Sequence, residues 1–261
     1  MKHQQGKLTK QKPSMPTFSL KYQTAENLPA PYAHAIEING KFAQNQVDET
    51  PQLELSFELT YLGREDFTEE ELLEEGFTIN DDFTWNGTLP KIWSDVVFGN
   101  LKSANELFIK SLEPHQDFWQ IEFEGKTFYP KNIDGFKYLI EELQQAVFEK
   151  AGREAGLKLT FLKYQSGENI EVEITASFVE RKLHFKRTNL LDSTKDTKFL
   201  EWDELNFILK NTFSGEFIAD FALSTKPTYK GVFVNTGDEL WYEVGKSLLI
   251  QPNKILKIIK L

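Results

Sequence analysis

Cysteine is absent from the 261 residues, and histidine occurs only four times. The lack of cysteine excludes a disulfide framework, thiolate catalysis and any zinc site built on cysteine. No apolar run approaches the roughly 18 residues that a membrane-spanning helix needs, so we expect no membrane span. The N-terminus also lacks the apolar core of a secretory signal, which predicts a cytoplasmic protein.

The histidine and glycine patterns contain no catalytic signature. His3, His34, His115 and His184 are each more than five residues apart, so none has the spacing of a zinc-binding pair. A G-x-S-x-G nucleophile elbow, a complete phosphate loop and a dinucleotide fingerprint are also missing. We therefore predict no catalytic residue, no cofactor and no metal ligand, and these absences weigh against an enzyme without excluding one.

The charge is concentrated in one segment. Residues 65–82 contain nine acids and no lysine or arginine, although the formal net charge of the whole chain is only −10. These acids are Glu65, Asp66, Glu69, Glu70, Glu71, Glu74, Glu75, Asp81 and Asp82. Outside this acidic segment, basic and acidic residues nearly balance. The two ends of the chain are basic, with Lys2, Lys7, Lys10, Lys12 and Lys21 at one end and Lys246, Lys254, Lys257 and Lys260 at the other.

Hydrophobic periodicity predicts an α+β fold. Apolar residues alternate with polar ones over residues 52–62, which is typical of a strand with one buried face. Apolar residues at helical spacing predict a long amphipathic helix near residues 135–152. Runs of strands interrupted by about four helices favour largely antiparallel sheets. A regular strand–helix alternation is missing, which argues against a doubly wound parallel sheet.

Shorter segments have mixed signals. Thr68 and Glu71 form a capping-box pattern that predicts a short helix ending at Gly76. Residues 79–89 are rich in Asn, Asp and Gly and are predicted to form a loop. Residues 189–198 are predicted to be irregular, and residues 253–261 to form a final strand, because their lysines fit no clean helical period.

The predicted organisation has three parts. Residues 1–16 are expected to be a disordered basic tail, since they contain few apolar residues and no period. Residues 17–130 form a predicted N-terminal α+β region and residues 131–261 a C-terminal one. A single continuous domain over residues 17–261 is the alternative.

Part of the acidic segment has no explanation in local structure. Acids in the first turn of the predicted helix are favoured by the helix dipole, but Glu74, Glu75, Asp81 and Asp82 are not. Phe83 and Trp85 follow directly. An acidic surface with aromatic anchors suits a protein partner, especially a basic one. The leading hypothesis is therefore a soluble, non-catalytic protein that acts through protein–protein contact over residues 65–93.

Two alternatives come from other classes. The first is a metal-dependent hydrolase or nuclease assembled from scattered carboxylates, for which Asp117, Glu124 and Lys126 give only a weak pattern. The residues from Asp82 onward partly match a calcium loop, but its twelfth position is Trp93 instead of glutamate. The second alternative is a nucleic-acid-associated accessory factor that uses the basic ends. The sequence defines neither the oligomeric state nor the identity of a partner.

Overall fold

The structure is a computed structural model that describes residues 15–44, 50–104, 106–107, 113 and 115–261. These residues form fifteen β-strands and five α-helices, and every pair of strands in the sheets is antiparallel. The predicted α+β fold is confirmed. Within the described part of the chain, no helix has the length and apolar character required to cross a membrane.

The chain divides into two compact units, residues 1–141 and 142–261. The strands of the N-terminal unit are β1 (Thr17–Gln23), β2 (His34–Gln44), β3 (Pro51–Tyr61), β4 (Phe83–Leu89), β5 (Glu106–Leu107), β6 (Phe118–Phe123) and β7 (Lys126–Pro130). They form one sheet in the order β4-β3-β2-β1-β6-β7-β5. Helix α1 (Glu69–Glu74) lies between β3 and β4 along the chain, and α2 (Lys91–Ser103) follows β4.

One face of this sheet is apolar and carries the core. On β3 the residues Leu53, Leu55, Phe57 and Leu59 are almost fully buried, as their alternation predicts. Helix α2 packs against β3 and buries Trp93 completely. Trp93 is therefore a core residue, although the sequence pattern included it in the interaction segment 65–93.

The opposite face of the same sheet is polar. Glu122, Ser19, Asn39, Ser56 and Asn86 lie opposite one another across β6, β1, β2, β3 and β4, in that order. This polar row lines an open groove of about 1090 Å³.

The C-terminal unit contains eight strands: β8 (Leu157–Gln165), β9 (Glu168–Ser177), β10 (Lys182–Asn189), β11 (Lys195–Leu200), β12 (Glu216–Phe217), β13 (Gly231–Asn235), β14 (Tyr242–Glu243) and β15 (Leu248–Leu249). Six of them form a sheet in the order β11-β10-β9-β8-β13-β14, and β12 pairs with β15. The helices are α4 (Glu204–Thr212), α5 (Pro252–Ile259) and part of α3 (Ile133–Ala151), the predicted long helix.

A buried ionic group lies in this second unit. The carboxylate of Glu142 pairs with Arg181 at 3.0 Å, and Glu142 also accepts a hydrogen bond from the indole N–H of Trp202. The Arg181 guanidinium lies 5.3 Å from the Trp202 ring centroid. Both side chains of the ion pair are almost inaccessible to solvent, so each charge depends on the other for compensation.

Three segments differ from the prediction. Residues 83–89 are strand β4 and not a loop, because Phe83, Trp85 and Leu89 alternate with threonines on a pleated surface. The Asn-Gly pair within β4 suggested a turn, but Gly87 does not have the positive φ that such a turn requires. Residues 195–200 form β11 by pairing with β10.

The C-terminal run is a helix and not a strand. Pro252 occupies the first turn of α5, where its missing N–H has no cost. Ile255, Ile258 and Ile259 then share the buried face at helical spacing.

The predicted regions 17–130 and 131–261 meet just before α3, whereas the compact units meet within it. Most of the predicted tail, residues 1–14, lies outside the described residues, and Met15 and Pro16 are exposed.

Candidate protein-binding surface

Helix α1 has the predicted local structure. The Thr68 hydroxyl accepts a hydrogen bond from the Glu71 N–H, and the Glu71 carboxylate accepts one from the Thr68 N–H at 2.9 Å. These reciprocal bonds are a capping box. Gly76 has a φ of 81°, and Phe77 N–H donates to the Leu72 carbonyl, which ends the helix. Leu72 is fully buried and fixes which side of α1 faces the protein.

A buried arginine just before the acidic segment holds it to the sheet. Arg64 donates from Nη1 to Asp81 Oδ2 at 2.6 Å and to the Thr78 carbonyl at 2.7 Å. Its Nε donates to the Pro31 carbonyl at 3.2 Å. The guanidinium also lies 3.5 Å from the Tyr61 ring centroid, a cation–π distance. Arg64 therefore ties the loop before β2 to the end of the acidic segment.

Asp81 has a structural role, because it forms the ion pair with Arg64. Its carboxylate also accepts hydrogen bonds from the N–H and the hydroxyl of Thr78, at 2.8 and 2.7 Å. Burial alone would raise the pKa of Asp81, but the bonds from Thr78 and Arg64 outweigh it and hold the pKa below its ordinary value. The ionised form of Asp81 thus stabilises the loop between α1 and β4.

Two more of the predicted partner-binding acids contact their own chain. Asp82 accepts a hydrogen bond from the Tyr61 N–H at 2.8 Å. Glu75 accepts one from the Tyr32 hydroxyl at 2.7 Å, which raises the pKa of that phenol. Among the four acids, only Glu74 has a side chain that forms no hydrogen bond or ion pair with the described residues.

The two predicted aromatic anchors are only partly accessible. Phe83 and Trp85 lie on the inner side of β4 and are half-buried. The Phe83 ring is 6.4 Å from the ring of Phe57, a core residue. The Trp85 ring lies across the backbone of Gly87, because a Cβ built there would be 2.3 Å from Trp85 Cζ2.

The structure exposes three other apolar side chains around α1. Leu73, Tyr32 and Ile79 are 64%, 45% and 44% exposed. Tyr32 is placed beside the end of α1 by its bond to Glu75 and by the Phe77 ring, 5.5 Å away. Ile79 lies two residues beyond Phe77.

Three acids frame these apolar residues. Glu69, Glu70 and Glu74 are exposed on α1, and their carboxylates form no hydrogen bond or ion pair with the residues described. Glu69 and Glu70 lie four and three residues before Leu73 and therefore next to it on the helix surface, while Glu74 follows it directly in the chain. We call Tyr32, Leu73, Ile79, Glu69, Glu70 and Glu74 the acidic–apolar patch. One sequence feature indicated this patch. Leu72 and Leu73 are adjacent in a helix, so only one of them can face the core and the other is exposed.

The alternative functions find no assembled site in the part of the chain that is described. No three His, Asp or Glu side chains gather there in a way that could hold a metal ion. Asp117 and Glu124 lie at opposite ends of β6, roughly 23 Å apart along an extended strand. Asp117 pairs with Lys137, and Glu124 with Lys102. Thr84, Asn86 and Gly87 of the partial calcium pattern lie in the extended strand β4 and not in a loop that could wrap around an ion.

Residues of both basic ends are described. Lys21 of β1 pairs with Glu37 at 3.1 Å, and Lys246 pairs with Glu243 at 2.7 Å. Residues 1–14 lie outside the described part of the chain. On α5, Lys254 donates to the Ser214 hydroxyl at 2.8 Å, while Lys257 and Lys260 are exposed.

In comparisons with known proteins, no family model, no curated protein and no solved structure matched this chain.

Proposed function

We propose that this protein is a soluble, cytoplasmic, non-catalytic binding protein whose N-terminal unit captures a basic protein partner through the acidic–apolar patch. One observation carries the proposal: Leu73 is 64% exposed within a segment of nine acids and no base. The cysteine-free composition suits a reducing compartment.

The patch combines the two contributions that a specific interface needs. Burying an exposed leucine side chain contributes about 1.5–3 kcal/mol, and Tyr32 and Ile79 supply further exposed apolar area. Glu69, Glu70 and Glu74 supply negative charge that speeds encounter with a basic surface and selects against acidic ones. Because these carboxylates are not engaged by the described residues, a partner can approach them without breaking the fold.

The bonds of the other acids connect the patch to the sheet. Arg64, Asp81 and Asp82 fix the loop around α1 to the sheet. A preorganised surface loses less conformational entropy when it binds. Asp81, Asp82 and Glu75 therefore support the patch, while Glu74 and its helical neighbours make the contact.

The test is affinity capture from an extract of the cells that encode the protein, followed by mass spectrometry. Two patch variants are compared with the wild type: Leu73→Ser, and the triple variant Glu69→Lys, Glu70→Lys, Glu74→Lys. Each has a matched control in the C-terminal unit. Leu191→Ser removes a leucine that is 60% exposed, and Glu201→Lys, Asp203→Lys, Asp220→Lys reverses three exposed acids.

A partner that supports the proposal is retained by the wild type and both controls, and is lost from both patch variants. Its capture should also weaken as salt is raised, because exposed charges are screened. If every captured protein is retained equally by patch and control variants, the proposal is wrong.

A further inference from the structure

Among the residues that the structure describes, strand β4 is an edge of the N-terminal sheet, and its own sequence lacks the usual protection of such an edge. Exposed edges are commonly guarded by charged side chains, proline or bulges, which prevent pairing with another chain. The seven residues of β4, FTWNGTL, contain no charge and no proline. By contrast β11, an edge of the C-terminal sheet, carries Lys195, Asp196 and Lys198. An unguarded seven-residue edge requires its own explanation.

Hydrogen bonds at the strand ends define which backbone groups of β4 are free. Phe42 N–H donates to the carbonyl of Pro16, which lies opposite it when the β1–β2 register is extended by one residue. In an antiparallel pair every second residue forms such hydrogen bonds, so the even-numbered residues of β2 are hydrogen-bonded to β1. Leu62 N–H donates to the Ala33 carbonyl, so odd-numbered residues of β2 bond β3. The even-numbered residues of β3 thus face β2, and its odd-numbered residues face β4.

The same alternation continues into β4. Its odd-numbered residues lie opposite those of β3 and use their N–H and C=O groups in that pair. Thr84, Asn86 and Thr88 therefore direct their backbone N–H and C=O groups outward, away from β3. All three residues are exposed. The edge thus offers three donors and three acceptors with the geometry of a strand.

We infer that β4 pairs antiparallel with β4 of a second copy of this chain, centred on Asn86. In this register Asn86 lies opposite Asn86 of the second copy, and Thr84 opposite Thr88. Each of these pairs can exchange two backbone hydrogen bonds, about six in total. The inference does not depend on the acidic–apolar patch.

The sequence of β4 is self-complementary in this register. On the polar face, threonine meets threonine and asparagine meets asparagine, which are favourable cross-strand pairs. On the apolar face, Phe83 meets Leu89, and Trp85 meets Gly87. Gly87 of each copy is already covered by the Trp85 ring of its own strand.

Charge selects the antiparallel direction. The acidic segment 65–82 directly precedes Phe83 in the chain. Antiparallel pairing places the acidic segments of the two copies at opposite ends of the seam, about 24 Å apart for seven residues. That distance is several times the Debye length of about 8 Å at physiological salt. Parallel pairing would bring the two segments together at one end.

The first test is the molar mass of the full-length chain in solution, measured by light scattering over a concentration series. The wild type is expected to approach twice its 30.3 kDa mass as concentration rises. Asn86→Pro is expected to remain a monomer, because proline removes the outward N–H and leaves the pairing with β3 intact. Asn86→Thr retains that N–H and should dimerise like the wild type. Circular dichroism checks that each variant is folded.

The second test uses the absence of cysteine from the natural chain. Directly opposed residues of a hydrogen-bonded antiparallel pair have Cα atoms about 5.5 Å apart, within the range of a disulfide. Asn86→Cys is therefore expected to form a cross-linked dimer under mild oxidation. Thr84→Cys alone should not, but a mixture of Thr84→Cys and Thr88→Cys chains should cross-link. Asn39→Cys, an exposed residue of an inner strand, is the control for random collision.

Cross-linking of Asn86→Cys without cross-linking of Asn39→Cys supports the symmetric pairing, even if Asn86→Pro fails to fold. A wild-type chain that stays monomeric throughout the series, or equal cross-linking of both cysteine variants, would overturn it. The inference would also be overturned if β4 paired only with an extended segment of another protein. Leu73→Ser should leave the dimer intact, so the outcome is separate from that of the proposed function.

Discussion

The ring of Phe18 fills the space that a side chain at Gly40, its direct partner on the neighbouring strand, would occupy. A Cβ built at Gly40 would lie 2.1 Å from Phe18 Cε1. Phe18 is itself buried, so its ring has little freedom to move away. We predict that Gly40→Ala lowers the free energy of unfolding by about 1–3 kcal/mol, the usual cost of overpacking. Urea unfolding measures this change.

Gly99 provides the matched control for that prediction. It lies in α2, and apart from its chain neighbours and the backbone of its own helix, no atom of the described residues is within 4 Å of a Cβ built there. Gly99→Ala should raise the free energy of unfolding by about 0.5–1 kcal/mol, since alanine favours the helix. If both variants changed stability in the same direction, the close contact between Phe18 and Gly40 would not be the cause.

The pair of Arg64 and Asp81 predicts a specific loss of stability in acid. Asp81→Asn leaves a buried guanidinium without its counter-charge, and should cost about 3 kcal/mol at pH 7. Because the folded-state pKa of Asp81 lies below its ordinary value of 3.8, this stabilisation is present above that pH. It disappears as the pH falls through the lowered pKa.

The measurement is urea unfolding of wild type and Asp81→Asn from pH 7 down to pH 2. The two stabilities should differ at neutral pH and converge in acid. Asp66→Asn, at an exposed acid of the same segment, should differ little from wild type throughout. A difference between wild type and Asp81→Asn that stays constant with pH would contradict the role given to the ionised carboxylate.

The buried group around Glu142 gives a prediction for the second unit. Glu142→Ala should destabilise the protein by about 3–5 kcal/mol, because Arg181 would keep a buried charge without compensation. Its exposed neighbour Glu141, changed to alanine, should alter stability by less than about 0.5 kcal/mol. Guanidinium unfolding followed by tryptophan fluorescence suits this test, since Trp202 belongs to the group.

Helix α5 can be tested by its buried face. Ile258 is fully buried, so Ile258→Ala should lower the free energy of unfolding by about 2–5 kcal/mol. Lys257, its exposed neighbour, should tolerate alanine with almost no change. Ile255→Ala should resemble Ile258→Ala, because the two side chains are one helical turn apart. Equal sensitivity at Lys257 and Ile258 would be inconsistent with the helix.

The elements that the sequence predicted well are those with strong local periods. Strand β3 has five inward apolar residues in alternation, and α1 carries its own start and stop signals. Strand β4 was missed because its Asn-Gly pair has a turn signal, which pairing with β3 overrides. Helix α5 was missed because eight residues contain too few turns to separate a helical period from an extended one.

The sequence predicted only part of the candidate site, because local patterns describe only local structure. Local sequence located the acidic segment and its cap. The residues that engage three of its acids are Arg64, Tyr61 and Tyr32, at separations of 17 to 43 positions. Such contacts depend on the path of the folded chain, which periodicity does not describe. The exposure of Leu73 follows from the burial of Leu72 beside it, and could have been inferred.

If two copies of the chain pair through β4, the polar row of the N-terminal sheet continues from one copy into the other. It runs from Glu122 to Asn86 in one copy, and a two-fold axis through Asn86 then repeats it in reverse. The composite row reads the same from both ends, and Thr127 of β7, which lies opposite Glu122, extends it at each. A molecule lying along it would either share that two-fold symmetry or bind in two equivalent orientations.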